Sequence, residues 1–310
     1  ITEYDEELNG VLIDEKGIKI SIPGTLKDEE IIYHIEHKSP HTNHAWGRCD
    51  GLLKPSLQRC KPACPIAWPV AGACAGCPLM HCVPALQDEL KKNLVLQALQ
   101  KAGIHYIRDL TYHSDGPRTG YRNRTDLVAA EIGGKLILGA YKPRSHEVIE
   151  TPTCRILRQP LNPVIQFIGK QANQHRIPAY RTTPQYAGAL RYVSPFADDA
   201  GDVLVDLVCK SADGIKPNWL NKFAHTLKNF KAIKGVSYSL NDSPNNAIRT
   251  EPSQTIWGLN RLPEHHGHIK TLFSASGFTQ LNTHTAAQIY SCAKDWLPAR
   301  PAIVWDLYCG

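Results

Sequence analysis

The chain has 310 residues, 42% apolar and 21% charged, which is ordinary for folded protein and enough for two or three domains. No run approaches the roughly 18 uncharged apolar residues of a membrane span. The acidic start Ile1-Thr2-Glu3-Tyr4-Asp5-Glu6-Glu7 lacks the basic and apolar stretches of a signal peptide, so a cytoplasmic protein with no membrane contact is expected.

Residues 1–47 read as short strands. Residues 10–24 hold two β-rich runs around Asp14-Glu15-Lys16-Gly17, a plausible hairpin turn, with Ile18, Ile20 and Ile22 alternating with Lys19 and Ser21. Residues 30–36 are a further strand candidate. Several strands in so short a stretch suit a small barrel of the oligonucleotide-binding type. His34, His37, His41 and His44 match no ligand pattern and read as surface. Residues 1–50 carry a net charge of −6 and residues 51–310 a net charge of +12. A basic body suits a polyanionic partner such as nucleic acid, and equally a mildly basic solvated enzyme.

Six of the ten cysteines, Cys49, Cys60, Cys64, Cys74, Cys77 and Cys82, fall within 34 residues that are rich in Pro and Gly and poor in periodicity. In a reducing compartment such clusters point to metal or catalysis. Two four-thiolate sets can be drawn. Cys60, Cys64, Cys74 and Cys77 would suit a local zinc knuckle. Cys64, Cys74 and Cys77 with the remote Cys154 would suit a cubane cluster.

Further along, Pro84 opens a helix over residues 84–102 with Leu86, Leu90, Leu94 and Ala98 on one face and Gly103 as its stop. Residues 125–141 read as a hairpin turning at Gly133-Gly134. Residues 201–210 and 236–240 are strand-like, and between them a helix carries Trp219, Phe223, Leu227 and Phe230 as core. Asn282-Thr283 caps a helix running through Trp296. Residues 301–310 read as an apolar strand ending in Asp306-Leu307-Tyr308-Cys309-Gly310, where a strand-to-helix ligand turn begins. One helix and one strand do not make a doubly wound domain, so a truncated sequence is expected.

Four stretches in order carry a resemblance. Cys64-Pro65 with Cys74-Ala75-Gly76-Cys77-Pro78-Leu79-Met80-His81, then Gly120-Tyr121-Arg122-Asn123-Arg124, then Thr151-Pro152-Thr153-Cys154-Arg155-Ile156-Leu157, then Phe278-Thr279-Gln280-Leu281-Asn282 resemble motifs of the RNA (uracil-5-)-methyltransferases. Asp306 to Gly310 is similar to the opening of that family's S-adenosylmethionine motif. The likeness is to the iron–sulfur type acting on 23S rRNA, with an N-terminal TRAM domain. Three departures are visible: nine residues separate Cys64 from Cys74 where about five are usual, Ala75 replaces a glycine, and Thr279 stands where an aromatic residue is common.

The resemblance implies a multidomain α+β and α/β protein: a TRAM-like RNA-binding barrel over 1–50, a central α+β domain over 51–265 with a cluster loop at 60–82 and 154, and the beginning of a Rossmann-like methyltransferase domain over 266–310. It implies a [4Fe–4S] cluster on Cys64, Cys74, Cys77 and Cys154, with Cys60 a bystander. It implies S-adenosylmethionine at Gln280, whose amide offers a donor and an acceptor, and packing of Tyr308 beside that cofactor. Arg122 and Arg124 share a strand face; two guanidinium groups there suit RNA phosphates or a base edge, and equally a solvated surface.

The chemistry it implies is methylation of uracil C5 in RNA, with 23S rRNA the expected substrate. A cysteine thiolate adds to C6, C5 attacks the methyl group, and a base removes the C5 proton. The resemblance places that cysteine and the glutamate base after residue 310, so no catalytic residue is assigned. Cys309 belongs to the cofactor turn, and Cys209 and Cys292 read as structural. The alternatives are a tRNA (uracil-5-)-methyltransferase and a non-catalytic RNA-binding protein that keeps the barrel and metal module. No obligate protein partner is expected.

Overall fold

The computed structural model describes residues 1–70, 72–105, 110–114, 116–181, 188–211, 214–244, 247–299, 303–305 and 307. The expected strand over 301–310, with Asp306, Tyr308 and Cys309, lies largely outside the described residues. The chain forms two units, residues 1–114 with 141–149, and residues 115–140 with 150–310.

In the first unit, strands β1 (Glu3–Tyr4), β2 (Gly10–Ile13), β3 (Lys19–Ile22), β4 (Glu30–Lys38) and β5 (His44–Lys54) form one sheet in the order β1-β2-β3-β5-β4. The expected turn is present. Asp14 Oδ1 accepts from the backbone N–H of Lys16 and Ile18 at 2.9 and 2.8 Å, and Gly17 takes a positive φ of 75°. Val11, Ile20, Ile22 and Ala45 are fully buried. Ser21, expected on the wet face, is also fully buried, because its hydroxyl bonds His44 Nε2 at 2.9 Å. His34, His37 and His41 are exposed, whereas His44 is half-buried and stacks on Trp46 at 4.5 Å between ring centroids. β5 runs on to Lys54, past the boundary expected at residue 50.

Helix α1 (Pro84–Lys101) starts on a proline, whose missing N–H costs nothing in a first turn. Leu86 and Leu90 pack with Leu26 and Cys82. The apolar face fades toward the C-terminus, where Leu94 is half-buried and Ala98 exposed.

In the second unit, β6 (Leu127–Ile132) and β7 (Lys135–Tyr141) form the expected hairpin, turning at Gly133 and Gly134, both with positive φ. After the short strand β8 (Val148–Glu150) come α2 (Leu161–Gln174), β9 (Leu190–Ala197), β10 (Val203–Cys209), α3 (Leu220–Thr226), β11 (Ile233–Leu240) and β12 (Gln254–Gly258). The strands of this unit run β12-β11-β10-β9-β6-β7 across the sheet. The parallel pair β10–β11 needs a crossover, which α3 supplies.

Alternation along the strands gives this sheet two different faces. Val193, Val205, Leu207 and Val236 pack against Leu161, Val164, Ile165 and Ile168 of α2 and Leu220 and Phe223 of α3. On the opposite face, Phe196 and Leu204 pack with Leu262 and Ala275. Leu262 belongs to the hairpin of β13 (Leu262–His266) and β14 (Ile269–Phe273), which precedes α4 (Thr283–Asp295). Further along that face, Asp206 lies in register with Ser194 and Ser237 and is fully buried. Arg249 compensates it, with Nε 2.9 Å from Asp206 and Nη2 3.2 Å from Asp126.

Candidate functional site

Three of the four resemblance stretches meet in the second unit. The backbone at 120–124 runs between two others. On one side, Gly120 N donates to Arg155 O at 3.0 Å, Arg122 N to Ile156 O at 2.8 Å, and Arg158 N back to Arg122 O at 2.9 Å. On the other, Asn123 N donates to Leu281 O at 3.0 Å, and Arg122 bridges Asn282. The Asn123 side chain is fully buried, and its Nδ2 donates to Gln280 O at 3.1 Å.

This junction sorts the residues singled out above. Gln280 has its carbonyl pinned and its side chain exposed, so the amide is presented outward from a fixed backbone. Asn282 caps α4, its Oδ1 accepting from Thr285 N at 3.2 Å. Arg122 is half-buried, with Nε donating to Arg124 O at 2.8 Å. Arg124 is only 7% exposed. Its guanidinium donates to Ser274 O at 3.1 Å and to the carbonyls of Ala275 and Gly277. Burial lowers its pKa to about 10, against the opposing pull of Asp126, so it stays charged at neutral pH.

Arg158 locks the junction from below. Its Nη1 lies 2.8 and 3.2 Å from the two oxygens of Glu264, which is fully buried, and 3.3 Å from Asp199; its Nη2 donates to Thr283 Oγ1. Burial raises the Glu264 pKa and Arg158 opposes the rise. Sequence reading missed Asn123, Arg158 and Glu264. Asn123 lies inside a motif but between two arginines whose charge is the stronger functional signal, and Glu264 carries no signal in a polar hairpin.

Beside the junction, a cavity of about 730 Å³ is lined by Gly120, Cys154, Arg155, Asn162 and Gln166 among others. Asn162, in the first turn of α2, clamps the backbone of Cys154: its Oδ1 accepts from Cys154 N at 2.8 Å and its Nδ2 donates to Cys154 O at 3.0 Å. The Cys154 thiol therefore stands on a fixed backbone at the wall of a cavity.

Cys64, Cys74 and Cys77 lie in the first unit, on a loop closed at its neck. Cys60 N donates to His81 O at 2.8 Å and Val83 N to Gln58 O at 2.9 Å. Arg59 at the neck forms a two-point ion pair with Glu29, Nε to Oε1 and Nη2 to Oε2 both at 2.6 Å. Inside the loop, Cys74 N donates to Ile66 O at 2.8 Å, and Met80 N donates to Cys77 O at 3.2 Å. Cys82 is buried in the small apolar cluster, which pushes its thiol up to about 12. Among the described residues no three His, Cys, Asp or Glu side chains converge on a metal position. What favours an iron–sulfur group is the donor set, three thiols on a loop held by turns and its neck rather than by a core. Cys209 is fully buried on β10, with its pKa raised by burial, and Cys292 lies half-buried on α4.

Tyr308 lies outside the described residues. No helix of the described residues is long and apolar enough to cross a membrane.

No family model matches the chain. Among curated proteins, it is 25% identical to an RNA methyltransferase of Oceanobacillus iheyensis over 317 residues, covering 99% of this chain and 65% of the relative. It is 28% identical to one of Clostridium acetobutylicum over 274 residues, covering 86% and 57%. The chain thus spans a little under two thirds of the length of these relatives. Among solved structures, the Pyrococcus abyssi tRNA (uracil-54, C5)-methyltransferase in complex with S-adenosyl-L-homocysteine superposes with a TM-score of 0.69 at 18% identity, covering 96% of this chain and 64% of that one. Along nearly its whole length the chain is similar in sequence to proteins named RNA methyltransferases, and it shares its fold with a solved RNA methyltransferase.

Proposed function

We propose that the protein methylates uracil C5 in structured RNA with S-adenosylmethionine, and that this chain supplies the RNA-binding and cofactor-approach parts. The observation that carries the reading is the junction, where segments 120–124, 154–158 and 278–282 are bonded to one another and present Gln280 outward. S-adenosylmethionine would supply an electrophilic methyl group. Gln280 would hold the polar amino-acid end of that molecule with a donor and an acceptor. Tyr308 would pack beside it.

Arg122 keeps guanidinium N–H groups for a phosphate or base edge. Arg124, whose guanidinium is engaged by carbonyls, would hold the loop at 274–277 in place instead of touching RNA. No residue of this chain is assigned as the nucleophilic cysteine of a C6 adduct. The five-stranded sheet of the first unit has the size and strand order that suit a TRAM-type RNA-binding barrel. The residue types at Cys64, Cys74, Cys77 and Cys154 suit a [4Fe–4S] cluster with a structural task.

Ribosomal RNA of the 23S type is the proposed substrate; transfer RNA is the second reading, favoured by what the Pyrococcus abyssi protein acts on. The test is incubation of purified protein with S-adenosylmethionine and with 23S rRNA or tRNA, followed by nucleoside mass spectrometry. New 5-methyluridine is expected, and the RNA that gains it settles the substrate. No gain in either sinks the reading. Iron and acid-labile sulfide in anaerobically purified protein, lost in Cys154→Ser, test the cluster independently; colourless protein containing zinc overturns it.

A further inference from the structure

The helical layer of the second unit is free of carboxylates. No aspartate or glutamate occurs in residues 151–197 or in residues 214–240, the two stretches that supply α2, α3 and the turns around them. Their apolar side chains go to the core: Leu161, Val164, Ile165 and Ile168 from α2, and Leu220 and Phe223 from α3. The charged side chains that point outward there are cationic, among neutral ones such as Gln166, Asn173 and Asn221. Lys170, Arg176, Lys222, Lys228 and Lys231 are all exposed.

The two helical segments that carry these cations pack together. The Phe167 and Phe230 rings lie 5.2 Å apart, the His175 and Phe223 rings 6.4 Å apart, and His175 Nε2 is 3.3 Å from Thr226 Oγ1. Neighbouring cations are neutralised from elsewhere, Arg181 by Glu131 at 2.5 Å and Lys234 by Asp202 at 3.3 Å. The five do not share that fate: none has an ion-pair partner among the described residues. Lys228 Nζ instead stands 5.2 Å from the centroid of the Trp257 ring, an approach that leaves its charge in place.

An uncompensated cluster of like charge repels itself, and its cost is offset when a polyanion covers it. A phosphate backbone is the polyanion such a surface fits, because exposed lysines meet phosphates as point charges without reading sequence. We propose that the outer face of α2 and α3 docks the phosphate backbone of the RNA substrate, on the side of the sheet away from the junction at Arg124 and the loop 274–277. The inference rests on the reading that the partner is RNA and adds where and how it is held. It also fixes the substrate class. Only a folded RNA can reach both faces of the sheet at once, whereas a short single-stranded uridine oligomer can occupy one face at a time.

The test compares the 310-residue chain with a Lys170→Gln, Lys222→Gln, Lys228→Gln, Lys231→Gln variant, binding a labelled RNA hairpin across a salt series. Each lysine that no longer neutralises a phosphate lowers the slope of log K against log salt by about 0.7 to 0.9. The variant's slope should therefore be shallower by about two to four, and it should bind at least about tenfold more weakly near physiological salt. A uridine oligomer too short to bridge the faces should bind the parent chain more weakly than the hairpin does. Circular dichroism checks that the variant is folded, and the four single variants, each expected to change the slope by at most about one, serve if it is not. Equal slopes and affinities for the hairpin in a chain that does bind it overturn the docking surface alone. A parent chain that binds no RNA overturns the RNA reading as well, and binding to anionic phosphatidylserine vesicles without RNA binding replaces both with a membrane partner.

Discussion

Replacing Arg59 by alanine should open the neck of the cysteine loop. The Glu29 side chain is fully buried and that of Arg59 is 15% exposed. Glu29 accepts four bonds: two from Arg59 at 2.6 Å, one from Leu26 N at 2.7 Å and one from Ser56 N at 3.1 Å. Arg59 also donates to Gly24 O at 2.7 Å. Without Arg59, a buried carboxylate keeps two neutral donors and loses its countercharge. Removing one partner of a buried pair costs about 3–5 kcal/mol, about a hundred- to several-thousand-fold in the closed-to-open ratio.

A local assay is required, because a chain of two units need not unfold in one step. Hydrogen exchange at the Cys60 and Val83 amides reads the neck directly, since each bonds across it. Protection should fall by about that hundredfold or more, and adding Glu29→Gln should recover part of it by removing the stranded charge. A change under about fivefold would refute the reasoning, since that is the size of a solvent-exposed pair. Acid gives an independent arm. Burial pushes the Glu29 pKa up, but the bonds from Arg59, Leu26 and Ser56 outweigh it and the net shift is downward. A carboxyl whose folded pKa is depressed stabilises the fold above its unfolded value near 4.5 and loses that contribution as pH falls through the folded value. Neck protection should therefore decline on acidification below about 4.5 in the parent chain.

Arg124→Lys should loosen the loop at 274–277 by about 2–3 kcal/mol, read as faster exchange at Gly277 N, because an ammonium cannot span three carbonyls with a planar fork and is more readily neutralised by the same burial. His266→Phe should leave stability within about 1 kcal/mol or raise it in urea unfolding, because both ring nitrogens are buried between Phe273 and Tyr290 with no well-formed hydrogen bond among the described residues, and burial lowers the imidazole's pKa against the opposing pull of the Thr283 backbone. Asn123→Ala should weaken S-adenosylmethionine binding measured by calorimetry, as should Gln280→Ala, although Asn123 presents no side chain to the ligand; unchanged affinity would separate the two residues.

Local signals were legible where a residue type forces a local geometry. Asp14 and Gly17 make a turn wherever they fall at that spacing, paired positive-φ glycines end β6, and Asn282 caps α4. The face of α1 was legible only in part, because periodicity marks which side is apolar and not how far along a partner reaches; Ala98 has none. α2 and β9 carried less contrast. β9 is buried on both faces, so period-two alternation, the signature of a half-buried strand, is absent from Leu190–Ala197. Ser21 failed for a related reason: a hydroxyl with a buried partner is indistinguishable in sequence from one in water.

The site itself hides for a different reason. What joins 120–124 to 154–158 and 278–282 is mostly N–H and C=O, groups that every non-proline residue carries, so no side-chain pattern announces the pairing. Side chains then divide the labour by burial. Gln280 is exposed and Arg122 half-buried, while the neighbouring Asn123 and Arg124 are buried and spend their polar groups on the carbonyls of 280 and 274–277. A buried arginine that holds a loop and a half-buried one that could hold a phosphate are the same letter in the sequence. Only the depth of burial separates the residue that builds the platform from the residue that uses it.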